Sequence, residues 1–97
     1  MRILQEPISF EWNRGNIDKN LEKHKVTNRE AEQIFINGPH FILEDEKHSA
    51  KEKRYMIWGI TNKNKHLSVF FTIRKNSVRV ISARPMSKNE KKQYEKV

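Results

Sequence analysis

Ninety-seven residues carrying 20 Lys or Arg against 12 Asp or Glu, with no cysteine, describe one small basic domain over residues 1–97. That length leaves no room for a second core, and the missing thiols exclude disulfides, thiolate metal sites and a cysteine nucleophile. No stretch reaches the ~20 apolar residues that cross a bilayer. The first twelve residues also lack a signal peptide's apolar run, so a cytoplasmic setting is expected.

The charge is unevenly placed. Residues 1–50 hold seven cations against nine acids, a balance of −2; residues 51–97 hold thirteen against three, a balance of +10. The second half therefore suits a polyanion, nucleic acid before a membrane surface. A solvated basic face kept for solubility has the same composition.

In chain order, Ile8 to Trp12 alternates apolar and polar and reads as a short strand, with Phe10 and Trp12 inward. A turn at residues 13–16 leads to a short helix over 19–25. Asp18 is its expected cap, and Ile17, Leu21 and His24 form its apolar stripe. Thr27 followed by Glu30 has the form of a capping box and opens a second helix, with Ala31, Ile34 and Phe35 on one face. Gly38 suits a left-handed residue after that helix, and Pro39 cannot continue it.

Residues 41–43 read as an edge strand and 44–53 as an exposed, mobile charged loop. Residues 54–60 form the next strand, with Met56, Trp58 and Ile60 on one side. Residues 67–86 then read as a β-hairpin. A two-residue turn at Lys75-Asn76 sets Ile73 opposite Val78 and Phe71 opposite Val80 on one apolar face. Thr72, Arg74 and Arg79 fall on the other face, whereas a three-residue turn would move Arg79 across. Ser87 and Glu90 repeat the capping-box pattern and open a last, mostly polar helix whose one sizeable apolar body is Tyr94. The expected fold is α+β: two N-terminal helices, an antiparallel sheet of three to four strands covered on one face, and a C-terminal helix.

The chemistry available is limited. His24, His40, His48 and His66 show no metal-ligand spacing, and three isolated glycines exclude both common nucleotide fingerprints. Neither a metal nor a cofactor is expected. His24 is an acid–base candidate by its ordinary pKa near 6.5, but a structural imidazole beside Leu21 is the commoner use. Arg54, Arg74, Arg79 and Arg84 form the better set. Cleavage of RNA through its 2′-hydroxyl crowds charge at phosphorus, and guanidinium groups are permanently charged and bidentate towards phosphate oxygens. The competing use of these arginines is internal pairing with Glu11, Glu52 or Glu90. Tyr94 is suited to stacking on a base, to proton transfer, or to anchoring a polar helix.

Along almost the whole chain these residues resemble the BrnT toxins of bacterial type II toxin–antitoxin pairs. The resemblance rests on Phe10-Glu11-Trp12, Asn20 with Lys23-His24 and Val26, Ala31 and Phe35, Arg54-Tyr55 with Gly59, Thr72-Ile73-Arg74, Arg79 with Ile81-Ser82-Ala83-Arg84, and Glu90 with Tyr94. It implies a RelE-like fold and a ribonuclease that arrests translation. It also implies a cognate BrnA-like antitoxin as partner, with DNA bound only through the complex. By matched position, Lys23, His24, Arg74, Arg79, Arg84 and Tyr94 are the implied catalytic residues, and Arg54, Arg74, Arg79 and Arg84 the implied RNA-binding ones. The chain departs from the family in having Lys25 after the Lys-His pair, where glycine is usual, and in lacking a glycine at the hairpin turn. A non-catalytic module that binds nucleic acid or a partner is the rival expectation.

Overall fold

A computed structural model describes Leu4, residues 7–46 and residues 51–96. The predicted loop over 44–53 therefore lies partly outside the described residues, as does His48. Among the described residues the order is β1 (Ser9–Phe10), α1 (Lys19–His24), α2 (Asn28–Ile36), β2 (Phe41–Glu44), β3 (Tyr55–Ile60), β4 (His66–Arg74), β5 (Ser77–Pro85) and α3 (Lys88–Glu95). The α+β class and the three expected helices are all present.

The sheet has five strands, not three or four, in the order β1-β5-β4-β3-β2. β2 to β5 pair antiparallel, but β1 joins β5 in parallel through Ser9↔Ser77 and Phe10↔Val78. The short strand expected within residues 8–12 is present at Ser9–Phe10; its parallel pairing with β5 depends on the path of the chain and not on local alternation.

The hairpin has the expected two-residue turn. Lys75 and Asn76 both take positive φ, 49° and 67°, and Ile73 faces Val78 while Phe71 faces Val80. Positive φ at both central residues matches the turn's twist to that of the strands. Beyond this, β5 holds a bulge. Phe71 pairs with Val80 but Phe70 pairs with Ser82, which leaves Ile81 as the extra residue. Val78 and Val80 before the bulge and Ala83 after it are all within 1% of full burial. The bulge thus keeps the core side of β5 continuous across a change of parity.

That core side carries Leu67, Val69, Phe71, Val78, Val80, Ala83 and Ile57, against Ala31, Ile34 and Phe35 of α2 and Val26 before it. Phe35 meets Phe71 edge-on at 4.9 Å and Phe10 at 5.4 Å. Gly59 lets α2 sit close: a Cβ there would lie 2.8 Å from Ile34 Cβ. The predicted capping box of α2 is complete, with Thr27 Oγ1 accepting from the Glu30 amide and Glu30 from the Thr27 amide. Its end differs from expectation. Asn37 is extended, no glycine has positive φ, and the Gly38–Pro39 bond is cis.

α1 also differs. Asp18 makes no side-chain cap and instead accepts from the Asn28 amide group at 2.9 Å. Ile17 and Leu21, the expected apolar stripe, are both 44% exposed. The buried positions are Asn16 and Asn20, whose side chains serve the β5 edge that β1 is too short to cover. Asn16 donates to the Val80 carbonyl at 3.0 Å and Asn20 accepts from the Ala83 amide at 2.9 Å. Helix α1 therefore covers an edge that would otherwise expose unpaired backbone groups.

α3 lies over the face opposite α1 and α2, so the sheet is covered in part on both sides. A cross-strand row there runs Phe41, Trp58, Ser68, Arg84. Tyr94 sets its ring edge-on against Phe41 and His66 and donates its hydroxyl to the Pro39 carbonyl.

Candidate functional site

The outer sheet face left open by α3 carries the arginines, and the bulge is why they share it. Arg84 follows Arg79 by five positions, an odd offset that would put them on opposite faces of a regular strand. With Ile81 as the extra residue, Arg79 pairs with Thr72 and Arg84 with Ser68, both on the outer face.

They nonetheless fall into two groups. At the turn end, Arg74 forms a two-point pair with Glu52, Nε to Oε2 at 3.1 Å and Nη2 to Oε1 at 2.7 Å. Arg79 Nη1 meets Glu11 Oε1 at 3.4 Å, because the chain after β1 continues alongside Val78 and brings Glu11 level with it. The Arg79 guanidinium passes under Gly15, where a Cβ would come within 2.6 Å of Nη2, and its side chain is only 15% exposed. Hydrogen bonding from Arg74 pulls the Glu52 carboxyl below its usual range, helped by the charges of Arg74, Arg79 and Arg54. Arg54, Arg74 and Arg79 are thus near enough to act on one carboxylate, three cations around Glu52 and Glu11.

Arg84 lies two rows away, roughly 13 Å along the strand at ~3.3 Å per residue. Its guanidinium forms a two-point pair with Glu90, at 2.6 and 2.9 Å, and rests 5.5 Å above the Phe70 ring centroid. Glu90 also accepts from Ser68 Oγ at 3.1 Å and from the Ser87 amide at 2.9 Å. Chiefly through Arg84, its pKa is lowered to about 2. This pair ties α3 to the sheet.

Lys23 and His24 belong to the Arg84 end. The turn before α1 and the helix itself follow β5, from Asn16 at Val80 to Asn20 at Ala83, so the last turn of α1 heads towards Pro85. Lys23 is exposed and His24 half-buried. Tyr94 is 5% exposed, with its hydroxyl taken up by Pro39, and burial raises its pKa. That is the arrangement of an anchor. The structure therefore brings Arg54, Arg74 and Arg79 together and sets Arg84, Lys23, His24 and Tyr94 apart from them. No group of three or more His, Cys, Asp or Glu that could hold a metal occurs among the described residues. Sequence reasoning missed Gly15 and Asn16, taken as plain turn residues; the recurrence of asparagine at 16 and 20, the first in the turn and the second in α1, was the available signal.

A family model described as the ribonuclease toxin BrnT of type II toxin–antitoxin systems matches residues 12–90. The chain belongs to the BrnT family. The match spans α1, α2, β2 to β5 and the start of α3, and so includes Lys23, His24, Arg54, Arg74, Arg79, Arg84 and Glu90. Tyr94 lies beyond it, and Glu11 just before it. No curated protein matches the chain significantly. A BrnT toxin is a ribonuclease by family, and membership of a type II pair gives it an antitoxin protein as partner. No described helix is long and apolar enough to cross a membrane.

Proposed function

We propose that this BrnT protein is an active endoribonuclease that cleaves RNA in the cytoplasm, arrests translation, and is neutralised by a cognate DNA-binding, BrnA-like antitoxin. The observation that carries this reading is the convergence of Arg54, Arg74 and Arg79 on an open corner of the sheet around Glu52. A phosphate entering there competes with carboxylates that are weakly held. The Arg74–Glu52 pair is exposed on both sides, whereas Arg79, partly covered by Gly15, has one long contact with Glu11. Exposed ion pairs give way readily to water, salt or a better anion. Arg74 and Arg79 would neutralise charge at the scissile phosphate, with Arg54 beside them. Arg84, Lys23 and His24, at the far end, would hold flanking backbone, and Tyr94 anchors α3.

Purified protein should degrade cellular RNA, and Arg74→Ala combined with Arg79→Ala should reduce the rate by at least about a hundredfold, the scale seen when a charge-stabilising donor is lost. Unchanged cleavage by the double variant removes the proposed clamp. A second reading, a binding module without chemistry, is favoured by the internal pairing of Arg74, Arg79 and Arg84 with Glu52, Glu11 and Glu90. Induction of the chain alone decides between them: growth arrest supports the nuclease and normal growth the module.

A further inference from the structure

A further group of cations without a side-chain partner among the described residues lies on the helix side of the sheet. Between the first turns of α2 and the turn from β3 to β4 is a recess of about 500 Å³, lined by Lys25, Arg29, Lys63 and Lys65 with Thr27, Glu30, Gln33 and Asn62. Four cations face one carboxylate. Glu30 is already engaged, accepting from the Thr27 amide at 3.0 Å, the Thr27 hydroxyl at 3.3 Å and Lys65 Nζ at 2.8 Å. That leaves Lys25, Arg29 and Lys63, whose side chains have no hydrogen bond or ion pair among the described residues. The walls are held firmly. The buried Thr61 hydroxyl accepts from the Lys63 and Lys65 amides at 3.3 and 3.0 Å. Gln33 accepts from the Asn62 amide at 3.0 Å and Asn37 donates to the Asn62 side chain at 2.8 Å, fixing the turn to α2.

Like charges gathered in a recess repel one another, and a bound anion relieves that repulsion. The recess sits at the same end of the sheet as Arg84, since Met86 bonds to the His66 carbonyl next to Lys65, but on the helix side. We infer that it is a second phosphate site, which takes the backbone of the RNA strand a few nucleotides away from the bond that is cut. This rests on the nuclease reading above. A strand crossing from the arginine face over the end of the sheet would be held at two places, so long RNA is preferred to short.

The test compares the intact protein with Arg29→Ala combined with Lys63→Ala. Binding of a cleavage-resistant single-stranded RNA of about 20 nucleotides, and of a four-nucleotide one, is measured across salt concentrations, beside cleavage of long RNA. Lys19→Ala with Lys96→Ala, two exposed cations elsewhere, removes equal charge as a control. The recess variant should bind the long RNA about tenfold more weakly at low salt. Its salt slope should be shallower by about 1.4, at ~0.7 per lost single-strand phosphate contact. Binding of the short RNA and the thermal melt should be unchanged. Equal losses in the control, or an unchanged slope for the long strand, overturn the inference while leaving the nuclease reading in place. Intact RNA binding with lost antitoxin binding also overturns it and assigns the recess to an acidic protein segment. If the wild-type protein neither binds nor cleaves RNA, the nuclease reading itself fails.

Discussion

Lys25 ends α1 in the left-handed region, at φ 60° and ψ 31°, with its amide donating to the Asn20 and Leu21 carbonyls. A side chain there brings Cβ close to the following carbonyl, a strain of about 1 kcal/mol that glycine escapes. The family's usual glycine is the unstrained solution. Here the strained position also adds a cation to the recess beside Arg29 and Lys63. Lys25→Gly should therefore raise stability by about 1 kcal/mol, or some 4–8 °C in Tm for a domain of this size, read by thermal melting. An unchanged or lower Tm would mean that the lysine's own contacts offset its backbone cost.

At the scale of elements, α3 is held by polar groups more than by apolar area. Tyr94 is its one buried residue, and Glu90 gathers Arg84, Ser68 and the Ser87 amide. The Glu90 pKa of about 2, against 4.5 for an unperturbed glutamate, makes this docking pH-dependent. A carboxyl acidified by folding stabilises the fold fully above its unfolded pKa and loses that contribution as pH falls through the folded one. The window is thus from about pH 4.5 down to about 2. The full shift represents roughly 3 kcal/mol, and partial solvent access leaves on the order of 1–2. Glu90→Gln should lower stability by that amount at pH 7 in urea unfolding and flatten the acid limb; an acid limb like wild type's would place the titration elsewhere. This element was legible in the sequence, because Ser87 and Glu90 carry a local capping signal, as Thr27 and Glu30 do. The hairpin register was legible for the same reason: Lys75 and Asn76 fill a two-residue gap between alternating runs. What was not legible depends on neighbours distant in sequence. The bulge at Ile81, the parallel two-residue β1 and the inward Asn16 and Asn20 all depend on how β5 meets the N-terminal segment. The arginines' clustering was half legible: their number and spacing stood out, whereas their division into two groups needed the positions of Glu52 and Glu90.

Over the whole molecule, net charge +8 would draw a polyanion such as the proposed RNA substrate from a distance, while paired acids decide what it meets on arrival. Glu52 is the clearest such competitor, exposed and hydrogen-bonded to Arg74. Glu52→Gln should strengthen RNA binding several-fold at low salt, with the gain shrinking as salt rises, measured by fluorescence anisotropy. Weaker binding would show that Glu52 orients Arg74 for the phosphate instead of withholding it. The bulge in β5 has a further consequence at this scale. It sets the phase of everything after it: with Ile81 retained and the ladder unbroken, Ala83 would turn to solvent and the charged Arg84 towards the apolar core side. Removal of Ile81 would therefore leave a regular strand with the same partners, whereas one residue inserted into the unbulged part of β5 would exchange inside for outside along the strand beyond it.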